Sequence, residues 1–311
     1  MAAYALRRLL QFIPTIVGVT LILFLLLNVL PGNAALMAGG PQETHVDSTY
    51  IELMKKEWGL DQPLYVRYLD YMGKLLVGDL GKSFLRRESV SGLLASRIWP
   101  TLKLAVVAMG VAVCLGVPLG FYSALRQGSW QDSVSMVGAV SGVSLPQFWL
   151  GLLLMFFFSV KLPVLPPQGY GDGALSNIIL PGFTLGVGYM ALLARTTRAA
   201  VVEILTTDYV RTARAKGLPA ITVNRKHVLR NALILVLTAA GLQFGGLMGH
   251  TVIVEKLFSW PGVGSLLVDS IFQRDIPVTQ GCIFFLILVF LLVNLAVDLL
   301  YAVIDPRIDY R

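Results

Sequence analysis

The chain has 311 residues, of which 56% are hydrophobic and only 14% are charged, with a mean hydropathy of +0.72 and a formal net charge of +7. A soluble domain carries about a quarter charged residues, so the composition excludes an ordinary soluble protein and indicates a chain embedded in a bilayer. The two cysteines, Cys114 and Cys282, both lie in apolar runs. They are therefore interpreted as packing residues, and neither a disulfide framework nor a thiolate metal site is predicted.

Six apolar runs of about 20 residues are long enough to cross the hydrocarbon core as helices. They begin near Leu9, Leu102, Val134, Ile178, Leu233 and Gly281. The first run follows the basic pair Arg7 and Arg8, as a signal peptide would, but it is too long for a signal h-region and is interpreted as a retained span. Because helices satisfy their own backbone hydrogen bonds in lipid, the predicted fold is an all-α, polytopic bundle of six transmembrane helices.

The spans divide the chain into three parts. Residues 1–30 form the N-terminus and first helix, residues 31–99 an external segment, and residues 100–311 a five-helix core that contains a long loop at 195–232. Within the external segment, "DQPLYVRYLDYMGKLLVGDLG" predicts a short amphipathic helix followed by a turn. The external segment is thus predicted to be a small folded annex.

One stretch of the external segment imitates a nucleotide site. "GDLGKS" ends with Gly81, Lys82 and Ser83, like a phosphate-binding loop. However, Leu76 stands where that pattern requires glycine, and the stretch lies on the side of the membrane away from cytoplasmic ATP. No nucleotide site is predicted there.

Other signals for catalysis are sparse. The only histidines are His45, His227 and His250, and no zinc-protease or serine-hydrolase motif is present. The chain is therefore predicted to be no enzyme, with no catalytic or metal-binding residues, and His250 is interpreted as hydrogen-bonded at an interface. Asp298 in the sixth span is most simply a paired carboxylate; as a proton relay it would instead indicate an ion-coupled secondary carrier. A membrane-embedded hydrolase is a third, weaker alternative.

The Lys and Arg residues of the short loops set the orientation. With the N-terminus in the cytoplasm the inner segments hold 13 of them and the short outer loops hold three, Lys161, Lys256 and Arg274. Both termini are therefore predicted to be cytoplasmic. Eight of the inner basic residues fall between positions 195 and 230, around the stretch "DYVRTARAKGL" at 208–218.

The order of residues in "DYVRTARAKGL" predicts a short helix with defined ends. Thr207 or Asp208 can cap its start, Arg214 and Lys216 suit the negative end of the helix dipole, and Gly217 can adopt the left-handed conformation that stops it. The simpler alternative is a solvated basic loop that follows the lipid surface. The next stretch, "ITVNRKHVLRNALILV", predicts a second helix that runs directly into the fifth span, so the short helix is tied to a membrane crossing.

These residues resemble the membrane permeases of ATP-binding cassette importers. In those proteins the loop contains an E-A-A pattern, three further residues and a glycine; here Gly217 takes the place of the glycine and Ala213 that of the second alanine. The form is similar to the peptide and nickel branch, as are "FSWPGVG" at 258–264, "LPQFWLG" at 145–151 and "DPRI" at 305–308.

The resemblance implies a type I importer permease with a MetI-like fold in the bacterial inner membrane. Such a permease holds no cofactor; it contacts lipid, pairs with a homologous second permease and with two cytoplasmic ATPase subunits that bind ATP and Mg, and receives its solute from an external substrate-binding protein. No nucleic-acid partner is implied. The expected solute is a short peptide, nickel or a nickel chelate.

The resemblance also implies that the short helix lies in a groove of one ATPase. The implied coupling residues are an opening acid (Asp208), a compact face (Tyr209, Val210 and Ala213), three cations that meet acidic or backbone acceptors (Arg211, Arg214 and Lys216) and the exit glycine (Gly217).

Three glycines of the fifth span, Gly241, Gly245 and Gly249 in "GLQFGGLMG", are spaced four residues apart. This spacing lets a neighbouring helix approach closely. The neighbour is either another helix of this chain or the second permease, and both interpretations stay open.

Overall fold

The computed structural model describes residues 2–29, 59 and 61–304, and the described residues are mainly helical, with no β-strand among them. The predicted all-α fold is confirmed for these residues. Most of the first half of the predicted external segment, His45 and the "DPRI" stretch lie outside the described residues.

In the part of the chain that the structure describes, five helices are long and apolar enough to cross a membrane. They are α1 (Ala2–Val29), α3 (Val90–Leu125), α6 (Leu175–Leu205), α8 (Ala220–Leu257) and α10 (Ile276–Ile304). Helix α3 begins before the predicted start of the second span near Leu102, because Ser89 caps it by accepting a hydrogen bond from the backbone of Gly92.

The third predicted span is a bent pair of helices. Helix α4 (Trp130–Ser144) and helix α5 (Gln147–Lys161) differ in direction by 98° across a short break, and the pair counts as a sixth span only if its two members are taken together. The break is at Leu145 and Pro146, whose ψ angles of 131° are extended. Proline disfavours helical backbone in the residue before it and lacks the N–H that a continuous helix would use.

The core of the bundle is the tight crossing of α3 and α6. Each helix carries two glycines four residues apart, Gly116 and Gly120 on α3 and Gly182 and Gly186 on α6. A Cβ atom on Gly116 would lie 2.5 Å, and one on Gly186 2.7 Å, from a backbone carbonyl oxygen of the facing helix. Only glycine permits this approach, which is the small-residue packing typical of membrane helices.

Helix α2 (Leu64–Leu76) lies where the amphipathic helix of the external segment was predicted. It packs on α1, whose buried Phe24 contacts the rings of Tyr68 and Tyr71 with centroids 5.4 and 6.3 Å away. The Tyr68 hydroxyl also donates a hydrogen bond of 3.2 Å to the carbonyl of Val17. The annex is therefore anchored to the first helix.

At the end of the bundle opposite the 195–232 loop, "FSWPGVG" forms the turn between α8 and helix α9 (Val263–Phe272). The buried Glu255 carboxylate accepts hydrogen bonds from the Thr101 hydroxyl at 2.7 Å and the Ser265 backbone N–H at 2.9 Å. The Thr101 hydroxyl in turn accepts the N–H of Val263 at 2.8 Å. The turn is thus fixed to the start of α3.

The "GDLGKS" stretch belongs to the same end of the molecule. Gly81 has a φ of +78°, and the Ser83 hydroxyl is buried and donates to the carboxylate of Asp275. The following residues form a turn that precedes α3 rather than the helix that a phosphate-binding loop opens. In a phosphate-binding loop the serine hydroxyl would contact the metal of a bound nucleotide. Here the Ser83 hydroxyl instead binds Asp275 and holds this stretch to the segment before α10.

Candidate functional site

Helix α7 (Asp208–Ala215) follows α6 at the end of the bundle that carries the basic loop. Val210 and Ala213 on one face are 0% and 5% exposed and pack in an apolar cluster with residues of α3, α6 and α8. The other members of this cluster are Ala124, Ala200, Val201, Ile204, Val223, Val228 and Ala232. Helix α7 is therefore seated on the bundle by its own apolar contacts.

The exit of α7 has the geometry that the sequence predicted. Gly217 has a φ of +74°, in the left-handed region. Its N–H donates to the carbonyl of Arg214 at 3.0 Å, and the N–H of Leu218 donates to the carbonyl of Ala213 at 3.4 Å. These two bonds form a Schellman motif, which satisfies the last carbonyls of the helix. The chain then turns sharply toward α8.

The start of α7 differs from the prediction. Thr207 is in the N-cap position, with φ −73° and ψ 151°, but no side chain of the described residues accepts a capping hydrogen bond there. The Thr207 hydroxyl instead donates to the carbonyl of Ile204 at 2.6 Å. It therefore closes the end of α6. Thr207 occupies the predicted N-cap position, but the described residues contain no capping hydrogen bond accepted by the side chain of Thr207 or Asp208.

The outer face of α7 is polar and basic. Asp208, Arg211, Arg214 and Lys216 are exposed, and Tyr209 is 44% exposed. Arg211 lies 3.8 Å from Asp208, with both side chains open to solvent, so this ion pair contributes little and leaves the cations available.

The assignment of Val210 and Ala213 to a face that meets an ATPase is therefore wrong for α7 as it is seated here, because this chain's own helices already cover both side chains. The two residues hold the helix in place instead. The remaining assigned residues lie on the accessible side of α7 or at its exit, and their coupling role stays a prediction.

Helix α8 begins three residues after Gly217 and continues without a break into the bundle, with a π-helical stretch at Val223–Leu229. The Asn231 side-chain amide donates to the Tyr209 hydroxyl at 3.3 Å and to the carbonyl of His227 at 2.7 Å. Helix α7 is thus joined to a spanning helix by its exit turn, its apolar face and a polar contact.

A second polar centre, which the sequence analysis missed, lies behind α7. Arg198 of α6 donates from Nε to one carboxylate oxygen of Asp132 and from Nη2 to the other, both at 2.7 Å. Asp132 also accepts hydrogen bonds from the Ser123 hydroxyl at 2.5 Å and the Gly128 backbone N–H at 3.0 Å. Arg198 is one of the eight basic residues between positions 195 and 230, and its partner in the structure, Asp132, lies in the first turn of α4.

The glycines of the fifth span are divided between two environments. A Cβ atom on Gly241 would lie 2.6 Å from Val297 of α10, and one on Gly245 would lie 3.1 Å from Asn294 of the same helix. Both therefore serve packing within this chain. A Cβ atom on Gly249 would meet nothing within 4 Å in the described residues, so a contact with a second permease stays a prediction for that glycine.

Two ionisable residues of the spans, His250 and Asp298, have polar partners in the structure. Nδ1 of His250 lies 3.1 Å from the Tyr189 hydroxyl and 3.1 Å from the carbonyl oxygen of Gly246, and Asp298 lies 3.2 Å from the Arg8 guanidinium. The paired interpretation of Asp298 thus agrees with the structure. Among the described residues no group of three His, Cys, Asp or Glu side chains is arranged to hold a metal ion.

Comparison with known families gives the class of protein. The family model "Binding-protein-dependent transport system inner membrane component" matches residues 116–310, and its N-terminal companion matches residues 1–105. The chain belongs to this family: it is an inner-membrane permease subunit of an ATP-binding cassette importer, as the resemblance implied.

Relatives that match over the full length of the chain are also permease subunits. The chain is 46% identical, over 311 residues and 100% of both sequences, to "Glutathione transport system permease protein GsiC" of Escherichia coli (strain K12) and to the protein of the same name in Salmonella choleraesuis (strain SC-B67). These relatives are named as permeases, so the chain is a multi-pass transport subunit and not an enzyme.

Solved structures bear on the fold. Inward-facing MetNI methionine ABC transporter is similar with a TM-score of 0.59 at 20% identity, covering 69% of this chain and 97% of that chain. An amino acid ABC transporter with histidines is similar with a TM-score of 0.52 at 18% identity, covering 68% and 94%. The predicted MetI-like fold is confirmed by these similarities.

Proposed function

We propose that this chain is one of two homologous permeases in an importer for a short peptide or peptide-like solute, and that α7 is the element that docks on a cytoplasmic ATPase. The name of the relatives supports the solute class, because glutathione is a tripeptide. Of the three predicted solutes, a short peptide is therefore favoured over nickel and a nickel chelate.

One observation carries the docking role. Helix α7 is held to the bundle by buried Val210 and Ala213, while its opposite face presents Arg211, Arg214 and Lys216 to solvent. Exposed cations steer and orient a partner with acidic groups more than they add affinity. Because the exit at Gly217 leads directly into α8, a force applied to α7 reaches a membrane crossing.

The proposed partners follow from this arrangement. Two ATPase subunits hold ATP and Mg and contact the α7 helices of the two permeases, and an external binding protein delivers the solute at the opposite end. Both termini are cytoplasmic in this proposal. The basic loop residues support this orientation. The pairing of Arg8 with Asp298 supports a common side for the two termini, because it brings the start of α1 beside the end of α10.

Uptake into proteoliposomes tests the proposal. The permease, its second permease, the ATPases and the binding protein are reconstituted with ATP inside, and radiolabelled glutathione or nickel ions are supplied outside with the binding protein. We expect ATP-dependent uptake of the tripeptide and none when the ATPase subunits are omitted. Uptake by the permeases alone, driven by a proton gradient, would contradict the proposal and support the secondary-carrier alternative.

A further inference from the structure

The Asp132 carboxylate joins three segments at the α7 end of the bundle. Ser123 is on the last turns of α3, Gly128 is in the loop that follows, and Arg198 is on α6, 66 residues away in sequence from Asp132. Asp132 itself opens α4 and is 5% exposed. Each carboxylate oxygen accepts two hydrogen bonds, so the acceptor capacity of the group is used almost completely.

The geometry of this contact restricts rotation as well as distance. Two parallel bonds between a guanidinium and a carboxylate fix the relative orientation of the two planar groups, which a lysine or a single hydrogen bond does not. The α3–α4 corner and α6 are therefore held in one register at this level of the bundle.

The hydrogen bonds of Asp132 lie next to the apolar cluster that holds α7 on the bundle. Ala124, next to Ser123, belongs to the same apolar cluster as Val210 of α7. On the other side, Arg198 lies seven residues before the end of α6, which is about 10 Å of helix, and α7 follows directly. The segment of α6 between Arg198 and α7 is thus short, and its residues Ala200, Val201 and Ile204 are buried in the same cluster.

We propose that Asp132 and Arg198 are positioning residues for coupling: their paired hydrogen bonds lock the α3–α4 corner to α6, so that a displacement imposed on α7 moves α3, α4 and α6 together. Without the lock, the same displacement is absorbed by bending of the last turns of α6. This inference rests on the proposed docking of an ATPase on α7 and adds the route by which the displacement reaches the spans.

The test uses the complete transporter with both permeases, the ATPases and the binding protein in nanodiscs. The test variant is the double substitution Asp132→Asn/Arg198→Gln, since replacing both partners removes the charges together and leaves no buried ion without a counterion. The matched control is Arg8→Gln/Asp298→Asn, which neutralises another ion pair, between α1 and α10 and away from the α7 cluster. Two quantities are measured: ATPase co-purified per permease, and the ratio of ATP hydrolysis with the loaded binding protein to hydrolysis without it.

We expect the test variant to retain its ATPase subunits while the stimulation ratio falls by about threefold or more, and the control to keep the wild-type ratio. A merely structural pair would lower assembly and leave the ratio of the assembled fraction unchanged. A wild-type ratio in the test variant therefore overturns the inference.

Where the test variant does not assemble, Arg198→Lys decides. Lysine keeps the positive charge but cannot form the bidentate hydrogen bonds to Asp132. The proposal therefore requires that this variant assembles and shows a reduced stimulation ratio, and a wild-type ratio overturns it. If the wild-type complex itself recruits no ATPase or shows no stimulation, the proposed function fails. If the wild-type complex is coupled and the variants are equally coupled, only the inference about Asp132 and Arg198 fails.

Discussion

Replacing Gly217 by valine isolates the exit of α7 as a cause of coupling. A Cβ atom at this position would meet nothing within 4 Å among the described residues, so there is open space at the point where a side chain would begin. The obstacle to a side chain is the backbone conformation, with a φ of +74°. A β-branched residue held in that region costs about 1–3 kcal/mol, whereas asparagine tolerates it.

The size of this strain determines the expected phenotype. Burial of the Val210 side chain is worth about 1.5–3 kcal/mol, and each of the two backbone hydrogen bonds at the exit about 1 kcal/mol. The strain at residue 217 is thus comparable to one of these contacts and smaller than their sum. A shift of about 2 kcal/mol changes a population ratio by about 30-fold. We therefore expect α7 to lose its packing against α3, α6 and α8 in part of the molecules, while the membrane bundle stays intact.

Co-purification of the ATPase subunits and stimulation of ATP hydrolysis by the loaded binding protein report this change. Gly217→Val should lower both, and Gly217→Asn, the matched control, should be close to wild type. Wild-type association and stimulation in the valine variant, at normal expression, would refute the role of the exit turn.

Three further substitutions test other parts of the structure. Gly120→Ala should lower the free energy of unfolding by about 1–3 kcal/mol, because the added Cβ meets a backbone carbonyl of α6. The control Gly110→Ala, on the open side of α3, should leave the free energy of unfolding unchanged. Equal melting temperatures of the two variants in detergent would contradict this packing. Thr101→Val removes a hydroxyl from the buried Glu255 carboxylate and should cost about 1–3 kcal/mol, seen as faster proteolysis of the α8–α9 turn, and unchanged proteolysis would count against this role. Lys82→Ala should leave ATP hydrolysis by the assembled complex intact, and its loss would revive a nucleotide site.

Local signals predicted the exit of α7 because they are contained in a few consecutive residues. Gly217 and the basic last turn of the helix define an exit whatever the rest of the chain does. The buried face could not be assigned in the same way. Val210 and Ala213 are covered by residues of α3, α6 and α8 that are up to about ninety positions distant, so their burial depends on tertiary packing.

The Asp132–Arg198 contact shows a second limit. In sequence these are two ionisable residues at the borders of different apolar runs, and 66 positions separate them. No periodicity or spacing rule links them, and only the close crossing of α3 and α6 brings them within 2.7 Å.

Glycine spacing and hydropathy each predicted part of the helix arrangement. The four-residue glycine spacing correctly indicates close approach, but it does not name the neighbour: Gly241 meets α10 of the same chain, and Gly116 meets α6. Hydropathy found the third span but not its bend, since averaging over a window is insensitive to the single break at Pro146.

Contact between α7 and an ATPase is the central claim, and site-directed photo-crosslinking in the assembled transporter tests it most directly. A photoreactive amino acid is placed at Arg214, on the exposed face of α7, and in a second variant at Ser176, exposed at the start of α6 at the opposite end of the bundle. We predict that illumination links residue 214 to an ATPase subunit and that residue 176 gives no such product. An assembled complex in which residue 214 never links to the ATPase, or in which residue 176 does, would contradict the claim.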